Sequence, residues 1–291
     1  MGSGHSAEHR ARARSVREGR SEEAKEAVQA RPRRGRLPLT ETDASDRSPG
    51  NPLVGREILG RFTVLGPRAF GGRATAYDAL DREKGDRCVV KVIRSDDDVE
   101  RALASLEREA TILRAAPREI APAVRAVGIA SLPAVDRAVP NARFACLALD
   151  AVSGIGFSDA AERDGLGAAR ALLEALSALH ASGVIHGDLT PSHVFMGSEG
   201  AAVLVDFENG ACTRSAPPGD EDAATPAFAA PERALGPSVR SDLYAWGRVV
   251  ERCVRPLEPP ALAAAVRVSL ASDPEARPAS AEALLATLPE R

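Results

Sequence analysis

The chain has 291 residues, 44% of them hydrophobic and 27% charged, with a net charge of −3. That is material for one large or two small domains around a buried core, and the charge balance excludes a strong general attraction to nucleic acid or anionic lipid. No apolar run reaches the roughly 18 residues that a membrane span requires, and the N-terminus lacks the apolar core of a secretory signal.

Residues 1–50 are rich in Arg, Glu, Ser and Pro with little apolar periodicity. Such a composition does not offset the entropy lost on ordering, so disorder is expected. Within this tail, residues 21–30 have helical character with Ser21 as N-cap, and residues 31–36 read as a solvated basic run. Met1–Ser6 fits the loose N-myristoylation pattern, which we read as a chance match. The folded part is expected from about Arg56. Residues 62–65, 73–80 and 88–93 read as three antiparallel strands joined by turns at 69–72 and 82–86. Lysine occurs only at Lys25, Lys84 and Lys91 in an arginine-rich chain. Lys91 lies inside the apolar run 89–93, where a lysine either snorkels from an edge strand or meets a partner. The strand alone does not choose between the two.

Residues 99–114 carry Leu103, Leu106, Ala110 and Leu113 at helical spacing, with Glu109 beside that face. After a connection broken by Pro117 and Pro122, residues 124–129 and 144–151 supply two more strands. A helix over 166–182 then stops at Ser182-Gly183; His180 lies near its buried stripe and reads as a packing residue. Four widely scattered cysteines, Cys88, Cys146, Cys212 and Cys253, suit neither a zinc site nor a disulfide scaffold. Reduced thiols in a cytoplasmic protein are the expectation.

The most informative stretch is 183–209. Val194-Phe195-Met196 and Ala202-Val203-Leu204-Val205 flank the turn-prone Gly197-Ser198-Glu199-Gly200, the pattern of a β-hairpin. Asp188 precedes the first strand and Asp206 follows the second, so pairing brings both carboxylates to the same end. A general base beside a cation ligand is what phosphoryl transfer to a hydroxyl needs. A single Asp at either place would read as a turn cap.

His186-Gly187-Asp188-Leu189-Thr190-Pro191 resembles the catalytic loop of protein kinases, and Asp206-Phe207-Glu208 resembles their metal-binding triplet. The likeness covers most of residues 56–291 and is to the bacterial (Hanks-type) serine/threonine members. FGGRATAYDA at 70–79 is similar to their glycine-rich loop and second strand. TPAFAAPE at 225–232 resembles the end of their activation segment, SDLYAWG at 241–247 a buried helix, and DPEARP at 273–278 a late motif.

The resemblance implies an α+β, two-lobed protein-kinase-like fold. Residues 56–149 would form a five-stranded antiparallel N-lobe and residues 150–291 a mainly helical C-lobe, behind a tail at 1–55. It also implies ATP and Mg²⁺ (or Mn²⁺) as cofactors and a protein as substrate. Asp188 would be the base, and Lys91, paired with Glu109, would hold the α- and β-phosphates. Asp206 would bind the metal. Gly71, Gly72 and Ala74 would line the phosphate loop, with Ala69 where its first glycine is expected. Leu149 would guard the back of the adenine pocket and Asp150, Ala151 and Val152 would form the hinge. Val64, Ala76, Val89 and Phe195 would cap the ring. By the same resemblance His186 packs beneath Phe207, Thr225 bonds Asp188, Asp242 holds the catalytic loop, and Arg277 pairs with Glu232.

Four positions depart from the family pattern. Gly187 stands for an arginine that grips a phosphorylated loop, so activation by loop phosphorylation is not expected. Thr190 stands for a lysine near the γ-phosphate, as in small-molecule kinases. His193 replaces the asparagine that ligates a second Mg²⁺ and becomes the candidate ligand there, although imidazole is the poorer Mg²⁺ donor. Glu208 replaces the glycine of the triplet and adds an acid near the metal. Residues 248–269 are also shorter than the interval that usually holds a substrate-docking helix. The leading expectation is an ATP-dependent serine/threonine protein kinase of weakened activity. The alternatives are a nucleotide-binding pseudokinase and, below it, a small-molecule kinase.

Overall fold

The computed structural model describes residues 51–70, 73–94, 98–132, 142–212 and 225–290. Gly71, Gly72 and the helix expected at 21–30 lie outside the described residues. Strands β1 (Glu57–Ile58), β2 (Phe62–Phe70), β3 (Thr75–Asp81), β4 (Asp86–Arg94), β5 (Val124–Leu132) and β6 (Ala142–Asp150) form one sheet in the order β1-β2-β3-β4-β6-β5. All of its pairings are antiparallel. Among the described residues this sheet has six strands, not the five expected. The addition is β1, whose Glu57 and Ile58 pair with Thr63 and Phe62; two residues are too few to show an alternation in sequence. Packing also starts ahead of Arg56. Leu53 is buried, and Asn51 Nδ2 donates to Tyr77 Oη at 3.2 Å.

Alternation along β4 decides what Lys91 can reach. Cys88, Val90 and Val92 bury on one face with Phe62, Val64 and Tyr77, which sends Val89, Lys91 and Ile93 to the other. Ile93 joins the core beneath helix α1 (Val99–Ala115). That helix starts on Asp98, whose side chain accepts from Arg101 N at 2.8 Å, an N-cap that satisfies one of the free N–H groups of the first turn. Leu106, Ala110 and Leu113 bury one face, and Glu109 is buried with them.

The second lobe begins with β7 (Ile155–Gly156), α2 (Phe157–Arg163) and α3 (Gly165–Ala181). Helix α3 buries residues nearly all round, from Gly167 to Leu179, as a central helix does. Gly183 follows its end with φ 81°, the left-handed conformation that commonly stops a helix. Next come β8 (Val184–Ile185) and the hairpin β9 (Val194–Met196) and β10 (Ala202–Leu204), in which Leu204 pairs with Val194. Strand β11 (Ala211–Cys212) pairs back onto β8. Helix α4 (Val239–Cys253) starts on a capping box between Ser238 and Ser241. Its Trp246 is fully buried and donates Nε1–H to Ala169 O of α3 at 3.1 Å. Helices α5 (Pro260–Ser269) and α6 (Ala281–Leu285) complete the lobe, so the shortened interval after Trp246 still contains a packed helix with Leu262 and Val266 buried.

Candidate active site

The loop between β8 and β9 is fastened from below by Asp242 of α4. Its Oδ2 accepts from His186 N at 2.9 Å and its Oδ1 from Gly187 N at 3.0 Å. His180 Nε2 donates to the same carboxylate at 2.9 Å, so the histidine expected only to pack also steadies the residue that holds the loop. Burial would raise the Asp242 carboxyl, and the hydrogen bonds it accepts from His180 and the Gly187 N–H bring it below its ordinary value instead. Gly187 has φ 79°, and a Cβ there would collide with the Asn209 carbonyl oxygen. The backbone at this position excludes an arginine as long as Asn209 stays where it is.

His186 is fully buried against Phe207, with ring centroids 4.8 Å apart. Its Nε2–H donates to Val205 O at 3.1 Å while Nδ1 accepts from Asp188 N at 3.3 Å. Both nitrogens are used by the neutral ring, and burial pushes its pKa below the ordinary histidine value. Asp188 then projects toward Thr225, whose N–H donates to Oδ1 at 2.8 Å and whose Oγ1 lies 3.4 Å from Oδ2.

Across from this loop, Lys91 Nζ donates to both Glu109 oxygens at 2.8 Å and to Asp206 Oδ1 at 2.9 Å. Of the two readings the strand left open, the structure has the partnered one. Burial would lower the lysine pKa, and the two carboxylates outweigh it and raise it above the ordinary value. Burial likewise opposes ionisation of Asp206, yet the Lys91 ammonium holds its pKa at about 2. Asp206 has φ 67°, uncommon outside glycine though least so for Asp and Asn. Two residues further, the Glu208 carbonyl accepts from Arg108 Nη2 of α1 at 2.7 Å. Neighbouring residues on α1 therefore reach the 206–208 turn, Arg108 directly and Glu109 through Lys91.

These groups border a cavity of about 890 Å³. The sheet contributes Ala76, Val89 and Leu149, the position before β3 contributes Ala74, the hinge contributes Asp150 and Val152, and the second lobe contributes Phe195 and Val205. Lys91, Asp188, His193 and Asp206 line its polar part, and Glu109 lies buried behind Lys91.

Val64 is the exception. It is 1% exposed on the opposite face of the sheet, packed with Phe62 and Tyr77, and Arg68 and Ala69 line the cavity from β2 instead. Ala69 pairs with Ala76, and Ala76 with Lys91. Counting back along paired strands from Lys91 would have placed the covering residue next to the glycine loop. Irregular pairing between Val64 and Gly66 and again between Pro67 and Ala69 removes the plain alternation that would have shown it.

Sequence reasoning also missed Arg125. This nearly buried side chain reaches Asp150 Oδ1 at 2.6 Å and Asp81 Oδ2 at 2.9 Å, tying the hinge to the end of β3. Only the strand register brings together groups so far apart in the chain.

The polar end of the cavity fits a divalent cation. The Asp206 carboxyl is held below its ordinary range, His193 Nε2 stands 3.5 Å from its Oδ2, and Glu208 also lines the cavity, with its Oε1 3.7 Å from Arg73 Nη1. Among the described residues no group of three or more His, Cys, Asp or Glu is placed to hold an ion by itself. An ion here would take further ligands from phosphate and water, as Mg²⁺ commonly does.

The sequence profile of the protein kinase domain matches residues 64–260. Among characterised proteins, the chain is similar to serine/threonine-protein kinase pkn2 of Myxococcus xanthus, 31% identical over 219 residues, covering 66% of this chain and 24% of that protein. It is also similar to serine/threonine-protein kinase PknA of Mycobacterium tuberculosis, 29% identical over 212 residues, covering 68% of this chain and 48% of that one. A shorter match, 41% identical over 83 residues, is to the DNA damage-responsive serine/threonine-protein kinase RqkA of Deinococcus radiodurans, covering 27% of this chain and 12% of that protein. The chain thus spans less than half the length of each of these relatives. With a matching profile over more than half of its length, and its charged groups gathered around one cleft between a β lobe and a helical lobe, the chain belongs to the protein kinase domain family.

Proposed function

We propose that the chain is an ATP-dependent serine/threonine protein kinase. The observation that carries this reading is the joining of Lys91 to both Glu109 and Asp206 while Asp188 faces the same cavity. Held in the cleft by Glu109, the Lys91 ammonium would turn the donor it now gives Asp206 toward the α- and β-phosphates of a bound nucleotide. Asp150 N–H is already committed to Ala123 O at 2.9 Å, and beyond it Val152 lines the cavity where the nucleobase edge would meet the hinge. Ala76, Val89 and Phe195 supply apolar cover. Asp188 accepts the proton of the incoming hydroxyl and keeps its oxygen in line for attack. Thr225 fixes that carboxylate, which retains lone pairs beyond the two that Thr225 uses. Asp206 and His193 would hold the Mg²⁺ or Mn²⁺ that, when bound, offsets charge on the phosphate oxygens.

A protein hydroxyl as acceptor is supported by the segment after Thr225. Glu232 receives Arg277 Nη1 at 2.6 Å and Nη2 at 2.8 Å, and Ala227 O receives Arg248 Nε at 3.2 Å, so residues 225–232 form a fixed surface beside Asp188. The printed names of the relatives point the same way. A cytoplasmic setting belongs to this proposal, supported by four free cysteines. No helix among the described residues is long and apolar enough to cross a membrane.

Incubation of the purified chain with γ-labelled ATP and Mg²⁺ or Mn²⁺ tests the reading. Label should appear on serine or threonine, in the chain itself or a generic protein acceptor. Asp188→Asn should reduce it by about 100-fold or more, the usual weight of a positioned base. No transfer by the wild-type chain with either ion would overturn the proposal.

A further inference from the structure

The position of His193 bears on which ion the cleft selects. Its Nδ1 lies 2.8 Å from Asp188 O. A carbonyl can only accept, so Nδ1 carries a proton, and it is Nε2, on the other side of the ring, that offers a lone pair in the neutral form. That side faces Asp206 Oδ2 at 3.5 Å, beyond the 2.7–2.9 Å or so of a charge-assisted hydrogen bond. Two donors each roughly 2.1 Å from an octahedral ion stand roughly 3 Å apart when adjacent in its shell. Nε2 and Oδ2 are therefore placed much as two ligands of one ion, and both residues line the cavity. The ring is also constrained from behind by His186, whose centroid lies 6.1 Å away in a stacked arrangement. An imidazole held this way offers nitrogen at a position where Mg²⁺ prefers oxygen, whereas first-row transition ions accept such a mixed set readily.

We propose that His193 is a metal ligand through Nε2, and that the resulting nitrogen–oxygen site selects a first-row transition ion over Mg²⁺. This rests on the reading of the cleft as a nucleotide site and adds the identity of the ion to it. The metal preference is then a property of residue 193, separable from the phosphate contact of Lys91 and the base function of Asp188.

Pulsed electron paramagnetic resonance of the full chain with Mn²⁺ and a non-hydrolysable ATP analogue tests this without relying on turnover. The wild type should show the nitrogen coupling of a directly bound imidazole, and His193→Asn should lose it. Displacement of Mn²⁺ by Mg²⁺ should become easier in His193→Asn by about tenfold, as oxygen replaces nitrogen. Mn²⁺ bound with the analogue but lacking nitrogen coupling in the wild type would overturn the metal assignment and leave the nucleotide site intact. An unchanged Mn²⁺-to-Mg²⁺ preference in the variant would overturn the selectivity. Failure of the wild type to retain the analogue with any ion would sink both this inference and the kinase reading.

Discussion

Lys91 shows how far a single residue could be read. The apolar run left it either snorkelling or partnered, and the resemblance to protein kinases is what pointed to Glu109 on the next helix. Its second partner, Asp206, comes from 115 positions away and was anticipated as a metal ligand, not as a partner of Lys91. Replacing Lys91 by Met leaves the buried Glu109 carboxylate without its cation, a loss of about 3–5 kcal/mol. Chemical denaturation should show that drop, and Lys91→Met combined with Glu109→Gln should recover part of it. Full additivity of the two changes would mean that they do not interact.

His186 makes a different prediction. Its folded-state pKa is lowered, so as pH falls through about 6.5 the unfolded chain takes up the proton first and stability declines from there downward. The melting temperature should fall between pH 7 and pH 5, and His186→Phe, though less stable, should show a shallower slope. An equal slope in both would place the titration elsewhere.

At the level of elements, the β9–β10 hairpin and helix α1 were legible because each carries its own period and its own stop signals. Val64 was not. Its alternation is correct for a strand, but the bulged pairing of β2 shifts which end of that strand covers the cavity. Strand β1 and the Arg125 network escaped for a related reason, since both depend on pairing partners and not on local pattern. The catalytic loop shows what an element demands of its sequence. Gly187→Ala would add a side chain where Asn209 O already sits and force a left-handed residue, worth about 1–2 kcal/mol before any rearrangement. We expect lower melting and a larger loss of phosphotransfer than of ATP affinity, because the residue that moves adjoins Asp188. Steady-state kinetics separates the two, and a pure rise in KM with unchanged kcat would contradict this placement.

For the whole molecule, the order of motifs along the chain was enough to anticipate two lobes and a cleft, because each motif names an element that must meet the others. What the motifs did not carry is how the lobes are coupled. The Lys91–Asp206 ion pair and the Arg108 hydrogen bond to the Glu208 carbonyl are among the contacts that serve that coupling. Both run from the β lobe and its helix to the same turn, so the cleft is assembled around the place where the triphosphate is proposed to lie. Calorimetric titration of ATP with Mn²⁺ into the wild type and three variants tests this most directly. Lys91→Met and Asp206→Asn should each weaken binding by about tenfold or more, the scale of a lost charge-assisted contact, while Asp188→Asn should bind as the wild type does and fail only in transfer. Equal affinity in all four proteins would mean that these charges do not surround the nucleotide, and the account would fall with them.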